Sequence, residues 1–210
     1  MSKYRLFLIL PLLAVFGCGV NEASKSAPTG YYLNPTKNLK ALGRTALVEL
    51  AHHSSAYRVE SDVTEALFEE IQKRQIFGLT RIRQDDPAWR SMPIEADGSY
   101  TPEEMAWMRK TFKCNAVLTG TITQFEPYPH LTLGLRLRLV DLSDGQLLWA
   151  VEQVWDSTDK STLDRIEAYY NPKHLFFDSS NLGGQLGSIS SLKFFKFVAH
   201  EVAMMLPSEF

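Results

Sequence analysis

The segment LTLGLRLRLVDLSDGQLLWAVEQVWD, residues 131–156, decides the fold of this chain of 210 residues. Leucine occupies every second position from 131 to 139, which is the period of two expected for a β-strand. Asp144 and Gly145 form a dipeptide favoured in tight hairpin turns, and residues 147–157 follow as the partner strand. Because both faces of this second strand are partly apolar, we expect it to lie well inside a sheet.

The rest of the chain supplies further strands and helices to cover this hairpin. Alternation and β-branched residues predict strands at 45–50, 79–83 and 115–126, and apolar spacing of three and four predicts helices at 61–75, 101–113, 160–170 and 191–207. The sequence therefore predicts a mixed α/β fold, a single domain in which helices pack on a mixed sheet.

Several residues carry local expectations within these elements. Thr101, Pro102 and Glu104 form the clearest helix start, a capping box with proline in the first turn. Asp62 and Glu65 have the same spacing, which predicts a second capping box. Gly78 is expected to stop that helix, and Gly120 is expected at a bulge or a close contact. The last helix is predicted to turn one apolar stripe inward, made of Leu192, Phe195, Ala199, Val202 and Leu206.

The first 17 residues have the layout of a secretory signal peptide. Lys3 and Arg5 precede an apolar run at 6–16, and the small residue Gly17 follows it. This run is shorter than the roughly 20 residues needed to span a bilayer, so a signal peptide is favoured over a membrane anchor. We predict a lipoprotein signal peptide at 1–17, a lipidated amino terminus with a flexible tether at 18–40, and a periplasmic α/β domain at 41–210.

Cys18 is the predicted site of lipid attachment. The residues Val15, Phe16, Gly17 and Cys18 resemble a bacterial lipobox, in which the cysteine is acylated and becomes the first residue after cleavage. Two or more acyl chains give stable anchoring, whereas one gives marginal binding. Residue 19 is glycine rather than the aspartate that retains enterobacterial lipoproteins in the inner membrane, so the resemblance favours the outer membrane, with the domain facing the periplasm.

Two segments have composition typical of loops. Residues 19–39 are rich in Ser, Asn, Pro, Gly and Thr, and as a flexible tether they would reach about 25 Å. Within them, docking of residues 31–33 on the domain is favoured, with docking on a partner as the alternative. Residues 171–190 form a long Gly/Ser/Asn-rich loop with an apolar centre at 175–177, and long loops of this kind are often functional.

Composition excludes some functions. Without residues 1–17, 20 basic residues remain against 24 acidic ones, and this balance gives no reason to expect a nucleic-acid partner. Cys114 has no histidine near it in sequence, so it is interpreted as a small buried apolar residue rather than a reactive thiol.

Candidate catalytic and metal-binding motifs are weak. His52 and His53 lack a cluster of acidic residues or cysteines to complete a metal site, and no nucleophile elbow or phosphate loop occurs. Arg136 and Arg138 are interpreted as the solvated side of a half-buried strand, with an anion or an acidic partner as the alternative. Trp149 and Trp155 are interpreted as core residues rather than a sugar platform. No catalytic residue, metal or cofactor is predicted.

The block from CNAVLTGTITQFEPY to the hairpin at 131–156 resembles a superfamily of periplasmic lipoproteins. It includes the curli-secretion lipoprotein CsgG, the exopolysaccharide-export lipoprotein PelC, the peptidoglycan-synthase activator LpoB and the amino-terminal domain of TolB. The shared pattern is a strand at 116–123, a turn at 141–145 and a returning strand from 147 to 150. This resemblance covers residues 41–160 and implies an α/β fold without a catalytic site, and functions in export, assembly or activation at the outer membrane.

Two functions remain open at this point. The first is a structural subunit of an export or envelope-assembly complex, in the form of a homo-oligomeric ring with the 175–187 segment as a candidate contact surface. The second is a monomeric adaptor that activates a periplasmic peptidoglycan-synthesis enzyme. A tether of about 20 residues is short for crossing the periplasm, which favours the first. A transmembrane pore of the curli type is not expected, because no second pair of alternating strands is available.

Overall fold

The computed structural model describes residues 30–52, 59–91, 100–170 and 189–207. Seven strands form one sheet: β1 (Tyr31–Leu33), β2 (Arg44–Val48), β3 (Ala51–His52), β4 (Gly78–Ile82), β5 (Ala116–Glu126), β6 (Thr132–Asp141) and β7 (Leu147–Asp156). The helices are α1 (Glu60–Arg74), α2 (Pro87–Arg90), α3 (Pro102–Phe112), α4 (Lys160–Tyr170) and α5 (Ser191–Met205), and a short 3-10 helix spans Leu39–Leu42.

The sheet is mixed, as the sequence predicted. Its strand order is β1-β7-β6-β5-β2-β4, with β3 paired separately to β5. β2 runs parallel to β4 and to β5, whereas β5, β6, β7 and β1 are antiparallel to their neighbours. The prediction of a mixed α/β domain is confirmed.

The hairpin of β6 and β7 has the predicted arrangement. Gly145 adopts a positive φ of 74° in its turn, which glycine tolerates without steric strain. The expected interior position of β7 applies only to its beginning, because β1 pairs with Trp149–Val151 alone. From 152 to 156 no strand among the described residues lies on the outer side of β7.

Helices cover the two faces of the sheet unequally. On the first face, α1 and α5 pack over a large core that includes Trp149, Trp155 and the alternating leucines of β6. On the second face, α2 and α3 cover a smaller core around Met108 and Cys114, next to β2, β4 and the beginning of β5. On the second face, β1 and most of β6 and β7 lie beyond this smaller core.

Three local expectations were wrong. Helix α1 begins after Val59, which makes no side-chain cap, so Asp62 and Glu65 do not form a capping box. That helix ends at Gln75 in the left-handed conformation, whereas Gly78 begins β4. Leu192 is 64% exposed, because the inward surface of α5 is centred on Phe194, Phe195, Phe197, Val198, Ala199, Val202 and Ala203.

The segment from 31 to 42 belongs to the folded domain. Tyr31–Leu33 pair with β7, which is the docking that the sequence favoured. Leu39 and Leu42 are 1% and 7% exposed and lie in the larger core, although the predicted tether extended to residue 40. Apolar side chains separated by one helical turn hold this segment against the sheet.

Within the described parts of the chain, no helix is long and apolar enough to cross a membrane.

Candidate protein-docking face

The part of the second sheet face that no described helix covers is a candidate docking surface, here called the open face. Strand register places its side chains in rows across four strands. One row contains Thr119, Arg138, Ala150 and Tyr32, the next contains Thr121, Arg136 and Glu152, and Val154 follows opposite Gly134.

The open face begins where the smaller core ends. Leu147 and Val140 are the last members of that core on the antiparallel strands. The Tyr100 hydroxyl lies 2.9 Å from the Thr119 hydroxyl, so Tyr100 marks the boundary. Polar residues along the strands then replace the apolar positions that a covering helix would need.

A cross-strand ion pair lies near the middle of the open face. The Arg136 guanidinium donates to both carboxylate oxygens of Glu152, at 2.9 Å and 2.7 Å. This fork-like geometry fixes both side chains more strictly than a single contact would. The hydrogen bonds from Arg136 hold the pKa of Glu152 below its ordinary value, so Glu152 is ionised at neutral pH.

Apolar side chains lie beside this ion pair. Tyr32 is 46% exposed and Val154 is 51% exposed, and Ala150 between them is half-buried. Large apolar side chains next to an ordered ion pair, beside a strand edge that no described strand pairs, are typical of protein-binding surfaces. The arrangement can bind a protein partner by side-chain contact or by strand pairing with residues 152–156 of β7.

The structure places the other sequence candidates away from a common site. Trp149 and Trp155 are fully buried in the core, as predicted. Their indole nitrogens have no hydrogen-bond partner among the described residues. His52 lies 3.7 Å from the carboxylate of Glu60, and no cluster of metal-ligating side chains occurs in the described regions.

Cys114 is a buried residue, as the sequence indicated. Its side chain is 2% exposed, and burial raises the pKa of the thiol. A thiol with a raised pKa is a poor nucleophile at neutral pH. Cys18, His53 and residues 171–188 lie outside the described residues, so lipid attachment at Cys18 and the function of that loop stay predictions.

Sequence reasoning missed one polar network near the hairpin turn. The Lys37 ammonium donates to Asp141 at 3.0 Å and to Asp144 at 2.6 Å. Burial raises the pKa of Asp141, but hydrogen bonds from Ser143 and Lys37 outweigh it and hold that pKa below its ordinary value. The lysine is 104 residues from Asp141 in sequence, and local spacing carries no signal for such a pair.

This chain is similar to several known structures. PelC from Paraburkholderia phytofirmans, solved as a dodecamer, matches with 13% identity over 64% of this chain and 87% of that chain, with a TM-score of 0.43. Lipoprotein GNA1162 from Neisseria meningitidis matches with 18% identity over 62% of this chain and 96% of that chain, with a TM-score of 0.45. LpoB from Escherichia coli matches with 12% identity over 74% and 85%, with a TM-score of 0.40.

PelC and LpoB are two of the proteins that the sequence resemblance named. No protein-family model and no curated protein sequence matches the chain.

Proposed function

We propose that this protein is a non-enzymatic lipoprotein of the bacterial outer membrane and a subunit of an export or envelope-assembly complex. Acyl chains on Cys18 hold it in the membrane, and the domain faces the periplasm. The observation that carries the proposal is the open face, which offers Tyr32, Val154 and the part of β7 that no described strand pairs to a protein partner.

A homo-oligomer is the favoured form of this complex. A closed ring requires two different surfaces on each subunit, one meeting the other on the next copy. The open face supplies one such surface, and the helices on the opposite side of the sheet are available for the second. Both Leu192 and Met204 on α5 are more than half exposed, which supports a contact there.

The deciding experiment is the mass of the mature, detergent-extracted protein, measured by light scattering or native mass spectrometry. We expect a discrete species many times the mass of one subunit. Val154→Lys should reduce it to the monomer, because it adds a charge to an apolar contact. Lys160→Ala, at the exposed start of α4, is the control and should leave the mass unchanged.

A clean monomer in the native protein would contradict the ring. It would favour the second function, a lipid-anchored adaptor or activator of a peptidoglycan-synthesis enzyme. In that case crosslinking from the open face should capture a periplasmic enzyme, and Val154→Lys should abolish the crosslink without changing the thermal unfolding of the domain.

A further inference from the structure

A basic groove lies at the carboxyl end of α3, next to the start of β5. It has a volume of about 540 Å³ and is lined by Ala106, Arg109, Lys110, Lys113, Cys114 and Asn115. The side chains of Arg109, Lys110 and Lys113 are exposed. No acidic residue lines the groove.

Arg44 adds a fourth positive charge to this region. It lies near enough to Cys114 for its charge, like that of Arg109, to act on the thiol. The Asn115 side chain donates to the carbonyl of Leu42 at 2.8 Å, which holds the start of β2 against the groove. In the described part of the chain, none of these four cations forms a salt bridge.

The helix end alone does not explain so many cations. The carboxyl terminus of a helix carries roughly half a negative charge, which one lysine or arginine already balances. Four cations therefore leave a strong surplus of positive charge at this helix end. The acidic residues of α3, Glu103 and Glu104, are in its first turn, about 7–9 Å along the helix axis from Arg109.

Nearby carboxylates are already engaged. Asp141 and Asp144 share Lys37, and Glu104 accepts hydrogen bonds from Thr101. This excess of positive charge is confined to the groove, because the whole chain has a formal net charge of −2. A shallow groove with uncompensated cations fits an anion supplied from outside the domain.

We propose that this groove binds the phosphate of anionic phospholipid headgroups in the leaflet that holds the acyl anchor. The inference rests on the proposed function, because the anchor brings the groove to the membrane. Gly30 lies 12 positions after Cys18, and a flexible linker of that length reaches about 20 Å. Across the sheet, strand spacing places β5 about 15 Å from β1, and Asn115 at the groove lies about 17 Å along the chain from Gly120, the residue of β5 in register with Tyr31.

Lysine and arginine suit this ligand. Ammonium groups bind phosphate as point charges, and the guanidinium of Arg109 can donate two hydrogen bonds. Each such cation near an anionic bilayer increases binding about fivefold. Acyl chains and a basic patch are a known combination of signals for stable membrane association, and here the second signal also orients the domain on the bilayer.

Chemical acylation of lysines tests the proposal in the mature, full-length lipoprotein. The protein is reconstituted into vesicles of phosphatidylcholine alone or with phosphatidylglycerol, and modification of each lysine is read by mass spectrometry. We expect the reactivity of Lys110 and Lys113 to fall about fivefold with phosphatidylglycerol, and to return in high salt, which screens exposed charges. Lys160, exposed at the start of α4, is the internal control.

Charge reversal sharpens the test. In Lys110→Glu, the reactivity of Lys113 should no longer depend on phosphatidylglycerol, whereas Lys160→Glu should leave that dependence intact. Equal reactivity of Lys113 in both types of vesicle, in the unmutated protein, would overturn the proposal. Protection by soluble glycerol phosphate but not by vesicles would also overturn it, in favour of a small-anion site.

The two proposals fail differently. If the protein binds phosphatidylcholine vesicles but Lys110 and Lys113 remain equally reactive, the anchor stands and the groove proposal is wrong. If it binds only phosphatidylglycerol vesicles, with both lysines protected, the groove proposal stands and the lipid anchor is wrong. Binding to neither type of vesicle contradicts both.

Discussion

At the scale of single residues, close backbone contact and burial decide which side chains and which ionisation states each position tolerates. Gly120 in β5 illustrates close backbone contact. A Cβ atom at that position would lie 2.2 Å from the carbonyl oxygen of Arg136 and 2.6 Å from the Leu137 side chain. The close contact expected from the sequence is therefore present at Gly120, while the irregularity in register comes later, between Ile122 and Gln124.

Gly120→Ala should destabilise the domain by about 1–3 kcal/mol, the usual effect of forcing extra volume into a packed site. Because the nearest atom belongs to the backbone of β6, it cannot rotate away. Urea unfolding followed by circular dichroism measures the change. Gly78→Ala is the control, since a Cβ there meets only an ordinary contact at 3.5 Å, and equal losses in the two variants would contradict the steric explanation.

Tyr169 illustrates the effect of burial on ionisation. Burial and the charge of Glu70 raise the pKa of Tyr169 to about 12. The phenol donates to the Glu70 carboxylate at 3.3 Å, and its ring packs 4.6 Å from the ring of His200. Glu70 itself is 4% exposed and also accepts from Lys73.

This shifted pKa predicts a loss of stability at alkaline pH. The folded state keeps the phenol protonated while the unfolded chain ionises near pH 10, so the stabilisation is complete below pH 10 and is lost toward pH 12. In Tyr169→Phe, the free energy of unfolding should decline less steeply between these values. Chemical denaturation at several pH values measures it, and identical slopes in the two proteins would refute the assignment to Tyr169.

At the scale of elements, the start of α3 shows a strong local signal. Thr101 accepts from the backbone N–H of Glu104, and the Glu104 carboxylate accepts from the N–H of Thr101 at 2.7 Å. This capping box was predicted from four consecutive residues. The spacing of Asp62 and Glu65 was equally suggestive, but α1 starts earlier, at Glu60, and leaves neither residue at the cap.

Thr101→Ala should destabilise the domain by about 1 kcal/mol, because one helix-terminal N–H loses its partner. Thr101→Ser keeps the hydroxyl and should recover most of the stability. Thermal unfolding of the two variants provides the comparison. A loss in Thr101→Ser as large as in Thr101→Ala would show that the methyl group, rather than the cap, stabilises this helix.

At the scale of the whole molecule, the segment from 34 to 42 connects the amino terminus to the core. Leu39 is 1% exposed within the larger core, and Asn34 donates to the carbonyl of Leu147 at 3.2 Å. These contacts hold the segment against the sheet and set where the chain leaves the domain.

Leu39→Ala should destabilise the domain by about 2–5 kcal/mol, as for other fully buried leucines, and should unfold it in a single transition. Its exposed neighbour provides the control, because Lys40→Ala should change the stability by less than about 0.5 kcal/mol. Urea denaturation distinguishes the two. A negligible effect of Leu39→Ala would mean that this segment is a free tether in solution.

The sequence alone determined the longer elements and their order, whereas β1, β3, α2 and the 3-10 helix were not predicted. Alternation predicted β6 and β7, β-branched residues predicted β5, and three- and four-residue spacing predicted α1, α3, α4 and α5. These signals are local, because each depends on neighbours within one strand or helix turn. The burial of Trp149, Trp155 and Cys114 was predictable for the same reason, since each belongs to an apolar position of its own element.

Only the tertiary structure decided which residues lie together on the open face and in the basic groove. Among the described residues, α2 and α3 cover the second sheet face only near β2, β4 and the beginning of β5, and no local pattern states which strands a helix will cover. Arg136 meets Glu152 across the hairpin register, while the basic groove joins Arg44 to the end of α3, more than 60 residues away. Such pairings depend on long-range packing, and that is where the candidate functions of this protein lie.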